Sequence, residues 1–178
     1  LIFDGGSLVM SSEGVPLVEM APFDEEIAVA ELFTESPSRS SVRPIRKSLH
    51  PDEEVFRALV LGVKDYIHKC GFETACIGLS GGIDSALTAA VAVEAIGADN
   101  VLGITMPSPY SSQGSVDDSV SLAANLGIRC DTVPIAEPFE AVRGALAPIF
   151  RGLPEDVTEE NMQARIRGLY LMSLANKS

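Results

Sequence analysis

The run Gly78-Leu79-Ser80-Gly81-Gly82-Ile83-Asp84-Ser85 concentrates the residue types of an anion site. Gly81 and Gly82 admit positive φ and let an anion approach the backbone with no Cβ in the way. Ser80 and Ser85 bring hydroxyl groups, and Asp84 brings an oxygen suited to a hard cation such as Mg²⁺. The apolar stretch Thr74-Ala75-Cys76-Ile77 ahead of the run reads as a buried strand. The small-residue stretch from Ala86 to Val93 behind it reads as a helix packed closely on a sheet. The first N–H groups of such a helix lack intrahelical partners and point into the turn, where they would meet phosphate oxygens.

Three chemistries compete for the run. A plain capping turn would use the Asp and Ser but has little need of two adjacent glycines. A nucleophile elbow is satisfied to the letter, since Gly78-Leu79-Ser80-Gly81-Gly82 is G-x-S-x-G. That arrangement takes its His from downstream of the Ser, whereas His50 and His68 both lie upstream. A Walker-type loop is excluded because no Gly-Lys-Ser/Thr follows. The third chemistry is a turn that grips the pyrophosphate released when ATP adenylates a substrate. The pattern S-G-G-x-D-S resembles the signature of the ATP-pyrophosphatase, or PP-loop, family at every fixed position, and this is the chemistry we favour.

Two further segments bear candidate residues. Met106 to Gly114 is rich in Pro, Ser and Gly and is longer than an ordinary connection between a strand and a helix. It is expected to be exposed and mobile and to gate a substrate, with Ser115 capping the next helix and Asp117 and Asp118 complementing its dipole. In the last predicted helix, Asn161, Arg165 and Gly168 share one stripe, beside an apolar stripe of Met162, Ile166, Leu169 and Tyr170. Gly168 costs about 1 kcal/mol against Ala in a helix, which suggests close packing there. Thr158 is the expected cap, with Glu159 and Glu160 in the first turn.

The elements that must position these residues fall into two groups. Residues 1 to 33 carry short strand-like runs, Leu1 to Phe3, Ser7 to Met10 and Pro16 to Met20, with a possible fourth at Ala28 to Phe33. Such a β-meander buries too little to stand alone. Thr34 to Ser48 has the composition of a linker. From Pro51 onward the pattern is α/β. An amphipathic helix (Asp52 to Lys69, closed by Gly71) uses Val55, Phe56, Leu59, Val60, Val63 and Ile67. The strand and helix around Ser80 follow, then a strand at Val101 to Met106. Next come a helix at Ser115 to Leu126 closed by Gly127, a strand at Ile128 to Pro134, and helices at Glu137 to Phe150 and Thr158 to Asn176. Strands alternating with helices imply a parallel sheet with helices on both faces, with ligands at the carboxyl ends of the strands.

Composition bounds the possible partners. A net charge of −12 argues against a nucleic-acid surface. No apolar run reaches the roughly 20 residues that span a bilayer. The three cysteines, Cys70, Cys76 and Cys130, are too few for a disulfide framework or a zinc cluster, and a reducing cytoplasm is the expected compartment. The start at Leu1, without Met, reads as a trimmed piece.

Three ordered blocks carry a narrower resemblance: Ser80 to Ser85, then Thr105 to Ser108 with Tyr110-Ser111-Ser112, then Glu160 to Gly168. Over residues 50 to 178 they resemble the synthetase domain of the glutamine-dependent NAD⁺ synthetases. Phe3 to Ser7 resembles the closing strands of the nitrilase-like glutaminase domain of that family. The domains implied are a glutaminase remnant at 1–34, a linker at 35–50 and the first part of the synthetase at 51–178, of the adenine nucleotide alpha-hydrolase type. The resemblance implies that ATP adenylates the carboxylate of nicotinic acid adenine dinucleotide (deamido-NAD), and that ammonia, drawn from glutamine, then expels AMP. It implies an ATP site at Gly78, Leu79, Ser80, Gly81, Gly82, Ile83, Asp84 and Ser85, with Asp84 as Mg²⁺ ligand. Asn161, Arg165 and Tyr110 would contact deamido-NAD. The family assembles as homo-oligomers, and its glutaminase Glu, Lys and Cys would precede Leu1. A related PP-loop ligase of GMP- or asparagine-synthetase type, or a non-catalytic AMP-binding module, are the alternatives.

Overall fold

The computed structural model describes residues 2–30 and 49–177. The end of the expected fourth strand and nearly all of the linker lie outside the described residues. The chain divides into two compact units, Leu1–Gly62 and Val63–Ser178.

In the first unit, β1 (Leu8–Met10) and β2 (Pro16–Glu19) form an antiparallel hairpin, with an isolated bridge from Gly5 to Pro22. The expected strand at the chain start is not formed at Ile2 and Phe3. Gly5 and Gly6 both take positive φ, which ends any extended run there, and Phe3 stays 76% exposed. Ala28 to Ala30 form no strand either.

The helix α1 (Pro51–Lys69) runs across the division between the units. His50 opens it, its Nδ1 accepting from Asp52 N at 3.3 Å, with Asp52, Glu53 and Glu54 in the first turn. It closes as expected at Gly71 (φ +74°), where Gly71 N donates to His68 O and Phe72 N to Ile67 O. This pair of bonds satisfies two of the last carbonyls. Phe56, Val60, Val63 and Ile67 are half-buried, while Val55 and Leu59 remain exposed, so only one edge of the predicted apolar face is covered.

The second unit is built on three parallel strands in the order β3 (Ala75–Leu79), β4 (Val101–Thr105) and β5 (Arg129–Thr132). Leu79 pairs with Thr105 and Thr105 with Thr132, so the carboxyl ends of the strands lie in one row. The helices are α2 (Ile83–Ile96), α3 (Gln113–Leu126), α4 (Ala136–Phe150) and α5 (Val157–Ala175).

Alternation along the strands assigns the helices to faces. Ile77, Leu79 and Val101 pack with Ala89 and Ala92 of α2 and Ala123 of α3. Cys76, Leu102 and Ile104 pack with Phe139 of α4 and with Ile166, Tyr170 and Leu174 of α5. The expected α/β sandwich of a parallel sheet with helices on both faces is therefore present. Alanines on α2 bring that helix close to the sheet, and Phe139, fully buried, fills the opposite layer.

Cap positions differ from expectation in two helices. Ser112, not Ser115, caps α3: its Oγ accepts from Ser115 N at 3.2 Å, and its extended backbone ends the preceding loop. Asp117 and Asp118 therefore sit beyond the first turn of α3, and Asp117 accepts from Gln113 Nε2 instead. Asp156, not Thr158, caps α5 in a reciprocal box, accepting from Thr158 N while Glu159 Oε2 accepts from Asp156 N. Leu169 is 53% exposed, so the apolar seam of α5 is Met162, Ile166, Tyr170, Leu171 and Leu174. Gly168 has nothing within 4 Å of where a Cβ would stand, so close packing does not explain it.

Candidate nucleotide site

The run at Ser80 leaves the carboxyl end of β3 and enters α2 directly. Gly81 takes φ +78°, as anticipated, but Gly82 keeps an ordinary negative φ of −95° and serves as the N-cap of α2. Only one of the two glycines therefore needs the left-handed region. The other matters because it has no side chain: no cap covers the first N–H groups of α2, and they remain open to an anion.

The two serine hydroxyls shape the turn. Ser85 Oγ donates to Gly82 O at 2.9 Å and accepts from Ser80 N at 3.2 Å. With its proton committed to a carbonyl, Ser85 Oγ must accept from Ser80 Oγ across their 3.1 Å contact. Ser80 Oγ in turn accepts from Gly82 N at 3.3 Å. Ser80 has no imidazole partner in this network, so the elbow chemistry lacks its base. Asp84 is exposed on the first turn of α2, and its carboxylate makes no hydrogen bond or ion pair among the described residues.

Beside the turn lies a cavity of about 360 Å³, lined by Gly78 to Ser80, Thr105 to Pro107, Ser111, Arg167 and Leu171, among others. Gly78 keeps it open, since a Cβ there would stand 3.1 Å from Met106 Cε and 3.3 Å from Leu171 Cδ1. Among the described residues Arg167 is the one cation on its wall; its Nε donates to Met106 O at 3.2 Å, and burial pulls its affinity for a proton down. The guanidinium stays charged in any case.

The connection from β4 to α3 is less loose than its composition suggests. Met106 and Ser108 are buried, Ser111 N donates to Ser108 O, and Ser111 Oγ accepts from Ser108 N at 2.9 Å. Tyr110 meets Phe139 edge to face at 6.1 Å, and its hydroxyl donates to Glu155 Oε2 at 3.2 Å. Glu155 also accepts from Arg143 Nη1 at 2.7 Å, and Arg143 lies 5.9 Å from the centre of the Phe139 ring. Partial desolvation, and then the Glu155 hydrogen bond and charge, push the Tyr110 phenol above its ordinary value.

The structure brings the residues 78–85 together at one strand end and sets Tyr110 on the wall of a second cavity nearby. Asn161 and Arg165 are exposed and line neither cavity. The α5 residues that do face the cavities include Glu159, Gln163 and Arg167, one step round the helix on the other side of the Met162–Ile166 seam. Their i, i+4, i+8 spacing was available in the sequence, but so was that of the outer stripe. Burial raises the thiol pKa of Cys76 and of Cys130, so both act as small hydrophobes.

A strand, an uncapped helix start and a cavity at the carboxyl edge of a parallel sheet define an α/β domain of the kind that takes its ligand at that edge. Residues 55–178 match the NAD synthase family, and the chain belongs to it. It is 48% identical over 177 residues to the glutamine-dependent NAD(+) synthetase of Synechocystis sp., covering 99% of this chain and 32% of that protein. Its fold superposes with a TM-score of 0.90 on glutamine-dependent NAD+ synthetase from Acinetobacter baumannii in complex with ADP, at 39% identity, covering 98% of this chain and 33% of that one. It also resembles NMN synthetase from Francisella tularensis, with a TM-score of 0.64 at 30% identity, over 73% of this chain and 52% of that one. The chain thus spans about a third of the length of the curated relatives it matches. Among the described residues no helix is long and apolar enough to cross a membrane.

Proposed function

We propose that this chain carries the ATP-binding half-site of a glutamine-dependent NAD⁺ synthetase, which amidates deamido-NAD through an acyl-adenylate. The observation that carries this is the uncapped start of α2 behind the Ser80–Ser85 turn, in a chain of the NAD synthase family. A carboxylate is a poor electrophile, and transfer of AMP to it creates a leaving group that ammonia can expel. Charge builds on pyrophosphate as that bond forms, and the free N–H groups of Ile83, Asp84 and Ser85 are aimed where it builds. The neighbouring cavity has the size and the mixed lining of a slot for a base, and the Acinetobacter relative in complex with ADP supports nucleotide binding by this chain.

Asp84 fits a Mg²⁺ role by its donor chemistry. One free, exposed carboxylate beside a phosphate turn suits an ion that keeps waters and takes its remaining ligands from phosphate. Mg²⁺ would supply charge neutralisation at the phosphates when bound. In this account, residues 1–34 are the end of a glutaminase domain, 35–50 a linker and 51–178 the first part of the synthetase. Glutamine-derived ammonia and homo-oligomeric assembly belong to the longer protein, in the cytoplasm. Asn161 and Arg165, both exposed on α5, would meet deamido-NAD on a face completed by the rest of the enzyme.

The experiment is pyrophosphate release from ATP by the full-length protein carrying Asp84→Asn. Release should be lost while circular dichroism and thermal melting stay those of the wild type. Undiminished release would remove Asp84 from the metal role.

A further inference from the structure

Three segments of the second unit converge on the ring of Phe139. Tyr110, from the β4–α3 connection, meets it edge to face, and Arg143, one turn further along α4, stands 5.9 Å from its centre. Glu155, from the connection into α5, joins the two. Its Oε1 accepts from Arg143 Nη1 at 2.7 Å and its Oε2 from the Tyr110 hydroxyl at 3.2 Å. Arg143 Nη2 donates to Glu140 Oε2 at 2.6 Å, so the guanidinium bridges two carboxylates and has little freedom to turn. One oxygen of Glu155 is thus held by Arg143 while the other faces Tyr110.

Neither Phe139, Arg143 nor Glu155 lines the first cavity, but the loop that carries Tyr110 does, through Pro107 and Ser111. That loop is braced within itself. Ser108 N donates to Ser111 Oγ, Ser111 N to Ser108 O, and Tyr110 N to Ser108 Oγ. A turn tied in this way shifts as one piece, so whatever holds Tyr110 also sets where Ser111 stands.

Magnitude separates this role from a part in folding. Arg143, Glu155 and Tyr110 all reach solvent, and exposed ion pairs add little to global stability. Biasing one short loop between two positions asks far less than folding a domain. A pair of this weight shifts such an equilibrium a few-fold, which is enough to be read in binding.

We propose that Arg143 is a positioning residue: by orienting the Glu155 carboxylate toward Tyr110, it holds the β4–α3 connection where Pro107 and Ser111 wall the first cavity. The proposal rests on the nucleotide role of that cavity, and the test keeps the two apart. Glu155 raises the Tyr110 pKa through its hydrogen bond and its charge, each outweighing the opposite pull of the Arg143 charge. The sign of one titration therefore separates positioning from plain electrostatics. In Arg143→Met, a Glu155 that stays in place leaves a more anionic surrounding, and the Tyr110 midpoint rises. A Glu155 that swings away takes its hydrogen bond and charge with it, and the midpoint falls. Residue-resolved NMR of the tyrosines in the full-length protein should show the fall, with no further fall in Arg143→Met/Glu155→Gln than in Glu155→Gln alone. The KM for ATP in pyrophosphate release should rise about fivefold in Arg143→Met, with kcat changed less than about twofold. Glu155→Gln should raise KM by the same factor, and it decides the matter if Arg143→Met melts early. A midpoint that rises or stays put, or a KM within about twofold of the wild type, would overturn the proposal. Should the wild type release no pyrophosphate, the nucleotide role itself fails, and amide hydrogen exchange at Tyr110 and Ser111 tests the hold on the loop. Exchange about fivefold faster in Arg143→Met would uphold it, and equal exchange would refute it.

Discussion

Gly81 and Ser115 meet backbone to backbone: a Cβ on Gly81 would fall 2.5 Å from the Ser115 carbonyl oxygen and 2.7 Å from its Cα. The turn after β3 is thereby seated on the first turn of α3, which leaves the adjacent strand. Gly81→Ala should therefore fail twice. The left-handed conformation alone costs about 1–3 kcal/mol, and the backbone it meets cannot rotate away. Thermal melting should drop and ATP binding should be lost. A variant as stable as wild type would show that the turn is free to move.

Gly78→Ala makes the contrast. Its Cβ would meet only the flexible ends of Met106 and Leu171, so destabilisation should be near the low end of overpacking, about 1 kcal/mol. The cavity beside the turn should narrow. Calorimetry should show weaker ATP binding in a protein that still melts cooperatively.

Phe139 anchors the α4–α5 side of the sheet from a fully buried position and gives Tyr110 its edge-to-face partner. Phe139→Ala should cost about 3–5 kcal/mol in urea unfolding. A cost under about 1 kcal/mol would mean that this layer does not support the loop.

How much of this was legible in the sequence depends on where the signal lives. Glycine closures at Gly71 and Gly127, the strand at Ile77 and the turn at Ser80 are local, and local chemistry decides them. The exact caps are not legible, because Ser112 and Ser115, or Asp156 and Thr158, are equally good cap residues a few positions apart. The side of α5 that lines the cavities was not legible. Stripes on both sides of the Met162–Ile166 seam are polar, and only tertiary packing turns Gln163 and Arg167 inward. The contact of Glu155 with Tyr110 spans 45 residues of sequence and leaves no local trace.

That contact has a spectroscopic consequence. The Tyr110 phenol is held above its ordinary value, so the neutral form is favoured by the fold. Stability from this bond is complete below the ordinary tyrosine range and is lost as pH rises through the elevated value. In a residue-resolved titration of the Tyr110 phenol, Glu155→Gln should move its midpoint down, because the charge that opposed the phenolate is gone. An unchanged titration would show that the bond does not persist in solution.

Acid acts at the other end of the same segment. Hydrogen bonds from Thr158 hold the Asp156 carboxyl below its ordinary value. Its contribution is complete above the ordinary aspartate range and is lost as pH falls through the lowered value. Asp156→Asn keeps a capping oxygen but not the titration, so its melting temperature should fall less steeply with acid than that of the wild type.

We propose that the turn at Ser80–Ser85 holds the pyrophosphate of ATP while a carboxylate is adenylated. The direct measurement is AMP and pyrophosphate release from ATP by the full-length protein, with and without deamido-NAD and ammonia. Equimolar release that requires deamido-NAD, with NAD⁺ formed when ammonia is present, is the predicted result. Release of neither product under any of these conditions, or ATP cleavage to ADP and phosphate, would contradict it.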